Sequence, residues 1–187
     1  MSTATATATT TAARTTWKID PAHSLIEFAV RHLMITTVKG RFGGVEGTVR
    51  LDDADPSFAD VDVRIDVASI DTRESQRDAH LRSADFFEVE KYPHITFTSK
   101  RPTARRGNEF TLVGDLTIHG VTREVTLAVT EEGRGKDPWG GERLGFSATA
   151  KIKRSDFGLT WNQALETGGV LVGDDIKISL DLELLRS

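Results

Sequence analysis

Apolar side chains fall on every second position through most of this sequence. Ile26, Phe28 and Val30 share one face of an extended segment whose other face carries Glu27 and Arg31. The same rhythm returns at Val45, Val49 and Leu51, at Val61, Val63, Ile65 and Val67, and at Ile95 and Phe97. It continues at Phe110, Leu112, Leu116 and Ile118, at Val125, Leu127 and Val129, at Leu144, Phe146 and Ile152, and from Ile176 through Ile178, Leu180, Leu182 and Leu184. Only an extended backbone turns alternate side chains to one face, so about eight or nine strands are expected. Turn signals at 52–56, Gly107-Asn108, His119-Gly120 and 133–141 separate them, several short enough to join antiparallel neighbours. One helix is expected around 73–82, opened by Asp71 with Glu74 as its capping pair and followed by a short turn over 83–87. The reading is an all-β fold, an eight-stranded antiparallel β-barrel with a helical insertion near 73–87.

A barrel of that size is either filled by its own side chains or holds one ligand, and the inward residues decide. Alternation turns Gly47 inward with Val45 and Val49, Gly114 with Leu112 and Leu116, and Ala148 and Ala150 with Phe146 and Ile152. The two glycines also fit bulges or corners where a strand bends to close the barrel. The alanine pair has no such reading, and the four together favour a lumen walled by Val, Leu, Ile and Phe. An apolar lumen selects an apolar ligand.

Composition removes most other functions. In 187 residues the formal charge is −4 with both signs interspersed, so no basic field gathers nucleic acid. There is no cysteine for disulfide, thiolate nucleophile or thiolate metal site. No apolar run approaches the roughly 20 residues of a bilayer span, so no membrane insertion is expected. Residues 1–15 are read as a disordered Ala/Thr-rich tail, and 16–187 as one domain.

The five histidines, His23, His32, His80, His94 and His119, lack metal-ligand spacing. His119 reads as a turn residue and His23 as a hydrogen-bonded strand-start residue. No nucleophile elbow, phosphate loop or dinucleotide fingerprint occurs, so no catalytic residue and no cofactor is assigned. The run Arg73, Glu74, Arg77, Asp78, His80, Arg82 and Asp85 reads as a solvated, ion-paired helix face, or as an acid/base site or anion clamp. Trp139 lies in a turn, and Trp161 either lines a barrel mouth or plugs its end.

Several short motifs resemble those of the YceI-like family. They begin with Trp17-Lys18-Ile19-Asp20, His23-Ser24, Phe28-x-Val30-x-His32 and Val38-x-Gly40-x-Phe42. Ser69-Ile70-Asp71-Thr72, the stretch from Arg77 to Phe87, and Tyr92-Pro93-x-Ile95-x-Phe97 continue the likeness. Gly114-x-Leu116-Thr117-Ile118-x-Gly120-Val121-Thr122, Arg154-x-Asp156-Phe157-Gly158-x-x-Trp161 and Val172-Gly173-Asp174 complete it, so that it runs from Trp17 to about Leu184. The resemblance implies an extended, lipocalin-like barrel that holds a polyisoprenoid or similar amphiphile, often as a homodimer, with roles in quinone handling, transport or stress. Many relatives carry a secretion signal; none is visible here, and a cytoplasmic location is expected.

The resemblance supplies no catalytic residues, so the lining is inferred from alternation. Phe28, Val30, Val45, Gly47, Val63, Ile65, Phe97, Leu112, Gly114, Leu116, Phe146, Ala148, Ala150 and Trp161 are the candidates for tail contact, and Arg77, His80 and Arg82 for the head group. Two other readings stay open: an enzyme using Arg77, Asp78 and His80 on an isoprenoid head group, and a filled barrel acting through its surface.

Overall fold

The structure, a computed structural model, describes residues 14–56 and 59–187. Among the described residues nine strands run β1 (Arg14–Ile19), β2 (Leu25–His32), β3 (Thr36–Asp52), β4 (Asp60–Asp71), β5 (His94–Pro102), β6 (Glu109–Ile118), β7 (Val121–Lys136), β8 (Glu142–Lys153) and β9 (Val172–Arg186), with one α-helix, α1 (Ser75–Arg82). All neighbours are antiparallel in the order β3-β2-β9-β8-β7-β6-β5-β4, and β3 pairs again with β4 to close an eight-stranded barrel. Among the described residues, closure leaves the barrel no open edge to recruit another chain.

The ninth strand is absorbed without adding a stave. β2 pairs with the first half of β3, Phe28 opposite Gly40, while β1 pairs with its second half, Trp17 opposite Val49. Both also lie along β9, so β1 and β2 form one interrupted stave. The break is a 3-10 turn at Pro21–His23, where the Asp20 carboxylate accepts the Ala22 N–H at 3.0 Å. At about 3.3 Å per residue, β3 with its 17 residues can span roughly 55 Å, which makes the barrel an elongated one. Bulges in the β3–β4, β2–β9, β5–β6 and β7–β8 ladders add the local bend that closure needs.

The two ends differ. At the β1 end Trp17, Leu51, Leu144 and Leu184 are fully buried and fill the interior. The Trp17 indole N–H donates to Thr15 Oγ1 at 2.9 Å, so the largest core side chain carries no unpaired polar group. The opposite, helix end carries α1 and the segment 154–171.

Three sequence expectations need adjustment. The helix begins at Ser75 with Glu74 as its cap, its carboxylate accepting the Gln76 and Arg77 N–H groups. Asp71, expected to cap it, ends β4, accepts the Arg73 N–H and pairs with Arg41 at 3.0 Å. β7 continues to Lys136, past the expected turn start at 133, because after a bulge at Glu132 the ladder resumes with Gly133 opposite Gly145. Residues 1–13 of the expected tail lie outside the described residues, and Arg14 and Thr15 already belong to β1.

Candidate functional site

A cavity of about 240 Å³ runs inside the barrel. Its wall is the inward half of the alternation: Phe28 and Val30 from β2, Val61, Val63 and Ile65 from β4, Ile95 and Phe97 from β5, and Leu112 and Leu116 from β6. Val125, Leu127, Ala148, Ala150, Ile152, Ile176, Ile178, Leu180 and Leu182 extend it across β7, β8 and β9, and Leu81, Phe86, Phe87, Phe157 and Leu159 lie at the helix end. Burial distinguishes this wall from a packed core. Val61, Val63, Ile65, Val125, Leu127, Ile152, Ile176, Ile178, Leu180 and Leu182 point inward, yet all remain half-buried. Side chains facing a filled interior would lose that surface; these face a void. The wall is carbon almost throughout and offers water few hydrogen-bond partners.

Of the residues predicted from sequence, Phe28, Val30, Val63, Ile65, Phe97, Leu112, Leu116, Phe146, Ala148 and Ala150 line this space. Val45, Gly47, Gly114 and Trp161 do not. Val45 packs within the buried cluster. The glycines were read as contributors of volume, but their missing side chains are replaced by neighbours. A Cβ on Gly114 would run into Phe97 Cζ and lie 2.7 Å from Phe97 Cε2, so the ring occupies the space over the glycine. A Cβ on Gly47 would lie 2.8 Å from Ile19 Cδ1 and 3.1 Å from Val63 Cγ2. Gly40 makes the same room for Phe28, at 2.3 Å. Ala148 and Ala150, by contrast, do line the void. Trp161 plugs the end from outside, its ring 5.3 Å from Phe86 and 4.7 Å from His80.

The predicted head-group residues are also absent from the wall, and their chemistry is already engaged. Arg77 donates to Thr72 Oγ1 at 2.7 Å and to the Thr72 carbonyl at 2.9 Å. Arg82 donates to the carbonyls of Ala68 and Ile70 at 3.0 and 2.9 Å. Buried Asp78 accepts from the Thr72 N–H and hydroxyl at 2.9 and 2.5 Å. These three residues clamp α1 onto the end of β4. His80 pairs with Asp85 at 2.8 Å, with Phe86 between this pair and the cavity.

The polar group that sequence reading missed is Arg154. It is buried at the helix end, borders the cavity, and donates to four backbone carbonyls: Leu159 at 2.7 Å, Gly173 and Trp161 at 2.9 Å, and Val172 at 3.3 Å. Burial pushes its pKa below that of an ordinary arginine. The motif Arg154-x-Asp156-Phe157-Gly158 was visible, but only the fold shows which carbonyls the guanidinium collects.

At the β1 end Asp20, His23 and Glu183 could offer ligand atoms within 4.8 Å of one another. The Arg143 guanidinium lies 2.7 Å from both Asp20 and Glu183 and already supplies a positive charge there. The Asp20 hydrogen bond raises the His23 pKa, and the same bond, with Arg143, lowers that of Asp20 against a smaller opposing effect of burial. His119 stands in the two-residue turn expected of it, at φ 53° beside Gly120 at φ 71°.

A closed antiparallel barrel with a void walled by carbon defines a protein of the lipocalin-like architectural class. Within that class the chain belongs to the YceI-like family, whose domain model matches residues 17–184. It is 43% identical to Protein YceI of Salmonella newport (strain SL254) over 146 residues, covering 77% of this chain and 76% of that protein. The crystal structure of Burkholderia cenocepacia BcnA superposes with a TM-score of 0.77 at 27% identity, over 88% of this chain and 98% of that one. A polyisoprenoid binding domain from Saccharophagus degradans, implicated in plant cell wall breakdown, shares the fold with a TM-score of 0.64 at 16% identity, over 91% and 98% of the two chains. Among the described residues no helix is long and apolar enough to cross a membrane.

Proposed function

We propose that the barrel encloses the tail of a long apolar lipid, polyisoprenoid in type, and serves as its carrier or store. The observation that carries this reading is the half-buried inward ladder of β4, β7 and β9, apolar surface that a guest in the cavity would cover. Each CH2 moved from water into such a wall contributes about 0.8 kcal/mol, so several isoprene units supply a gross driving force above ~15 kcal/mol before ordering costs. The tail then outweighs any one head-group contact, and tail length and shape set selectivity. The likeness in fold to a polyisoprenoid binding domain supports the same ligand class.

The test is native mass spectrometry of gently purified protein, followed by identification of the extracted lipid and by uptake of added polyprenol. A bound isoprenoid, or saturable uptake, is expected. Apoprotein alone with no uptake of polyprenols or quinones overturns the proposal. Ala148→Trp, with Ala150→Phe as a smaller plug, is expected to abolish uptake in a barrel that still unfolds cooperatively. The enzyme reading predicts slow conversion of the bound lipid that His80→Ala removes, and unchanged lipid after prolonged incubation dismisses it.

A further inference from the structure

The hairpin tip between β2 and β3 breaks two rules of local chemistry together. Its turn is closed by the Ile35 N–H donating to the His32 carbonyl at 3.1 Å, and both central residues are left-handed, Leu33 at φ 53° and Met34 at φ 61°. Such turns select Asn and Gly, because a large side chain there crowds its own backbone. The same residues are held in water: Leu33, Met34 and Ile35 are 37%, 53% and 71% exposed, and Val170 beside them 38%. The Leu33 N–H donates to the Leu171 carbonyl at 2.8 Å, joining the tip to the loop before β9 in one apolar patch. A turn that gives up both backbone ease and burial serves something other than the fold.

Charge and position identify what meets it. Behind the patch the outer wall is basic: Lys39, Ala29, Lys177 and Lys151 stand opposite one another across β3, β2, β9 and β8, with Arg31 nearer the tip. Among the described residues Arg31, Lys39 and Lys177 have no carboxylate ion pair, whereas Asp175 is engaged by Lys151 and Lys153. A chain of net charge −4 therefore places local positive charge next to its exposed apolar residues. A second copy on a two-fold axis would bring these cations face to face, whereas an anionic bilayer complements both apolar tip and basic flank. The patch also continues into the cavity wall, through Val30 along β2 and Val172 at the start of β9.

We propose that Leu33, Met34, Ile35 and Val170 insert into the interfacial layer of an anionic membrane, with Arg31 and Lys39 against its phosphates, setting the helix end of the barrel on the bilayer. This rests on the lipid-carrying reading, since a cargo dissolved in membrane must be collected there.

The full chain is sedimented with vesicles of phosphatidylglycerol and phosphatidylcholine in equal parts, and with phosphatidylcholine alone. Binding to the anionic vesicles, weaker in high salt and on neutral vesicles, is expected. The triple variant Leu33→Asn, Met34→Gly, Ile35→Ser installs residues the turn prefers. Its melting temperature is expected to hold or rise while vesicle partitioning falls about tenfold or more. Absence of wild-type binding overturns the proposal, as does unchanged binding by the triple variant. So does a wild-type dimer, lost in the variant, without vesicle binding. Polyprenol uptake from detergent micelles is measured in parallel. Normal uptake without vesicle binding sinks the docking alone, whereas vesicle binding without uptake sinks the lumen reading and leaves the docking standing.

Discussion

At the scale of single residues, Arg154 shows how a charge survives inside an apolar fold. Its guanidinium offers a planar fork of donors, used by two carbonyls of the segment that closes the helix end and two at the start of β9. Arg154→Met keeps the bulk and removes this donor from all four carbonyls, only Val172 keeping a side-chain donor, Asn162 at 2.7 Å, for an expected loss of about 2–4 kcal/mol in urea unfolding. Arg154→Lys should recover only part of it, because a point charge cannot span all four. The pair Asp20–His23 makes a pH prediction. His23 is raised above its ordinary 6.5, so its contribution is complete below that value and fades as pH climbs through the folded pKa. Asp20 is lowered below 3.8, so its contribution is complete above that value and fades only as pH falls through the folded pKa. Melting curves of wild type and His23→Gln should therefore converge as pH rises from about 6 towards 9; a constant gap between them would show that the pair adds no pH-dependent stability. Sequence marks His23 as a hydrogen-bonded strand-start residue, and its 2.9 Å bond to Asp20 agrees; the rest of this corner was not readable, since Arg143 and Glu183 reach it only when β9 pairs with β1 and β8.

At the scale of elements, the strands were legible and their glycines were not. Alternation names the inward face of β2, β4, β6, β8 and β9 because the period of an extended chain is set by the backbone itself. It does not tell which inward glycine leaves space and which lies beneath a ring. Gly114→Ala is expected to cost about 1–3 kcal/mol, since the new methyl meets both Phe97 Cζ and, at 2.6 Å, the Thr98 carbonyl. A double-mutant cycle with Phe97→Leu should return part of that cost, and strict additivity would disprove the ring-over-glycine packing. The helix start carried a similar ambiguity. Asp71 and Glu74 both have capping chemistry, and the choice of Glu74 follows from Asp71 being held in β4 by Arg41.

At the scale of the whole molecule, the void makes stability and occupancy one measurement. Polyprenol should raise the melting temperature in a saturable way, by about 2.7 kcal/mol of added stability at a hundredfold excess over Kd. Ala150→Phe should raise the melting temperature of the empty protein by filling space, and remove that shift; an unaltered shift would place the guest elsewhere. From its residues alone the chain determined that it forms strands, how many, which face of each is apolar, and that no familiar reactive constellation accompanies them. Those are consequences of backbone period and side-chain identity, which are local. Three-dimensional closure decided the rest: that β1 and β2 share a stave, that rings settle over Gly40 and Gly114, that arginines thought to face a head group staple a helix, and that a buried arginine seals the helix end. Each depends on which distant strands become neighbours, and no local period encodes that distance.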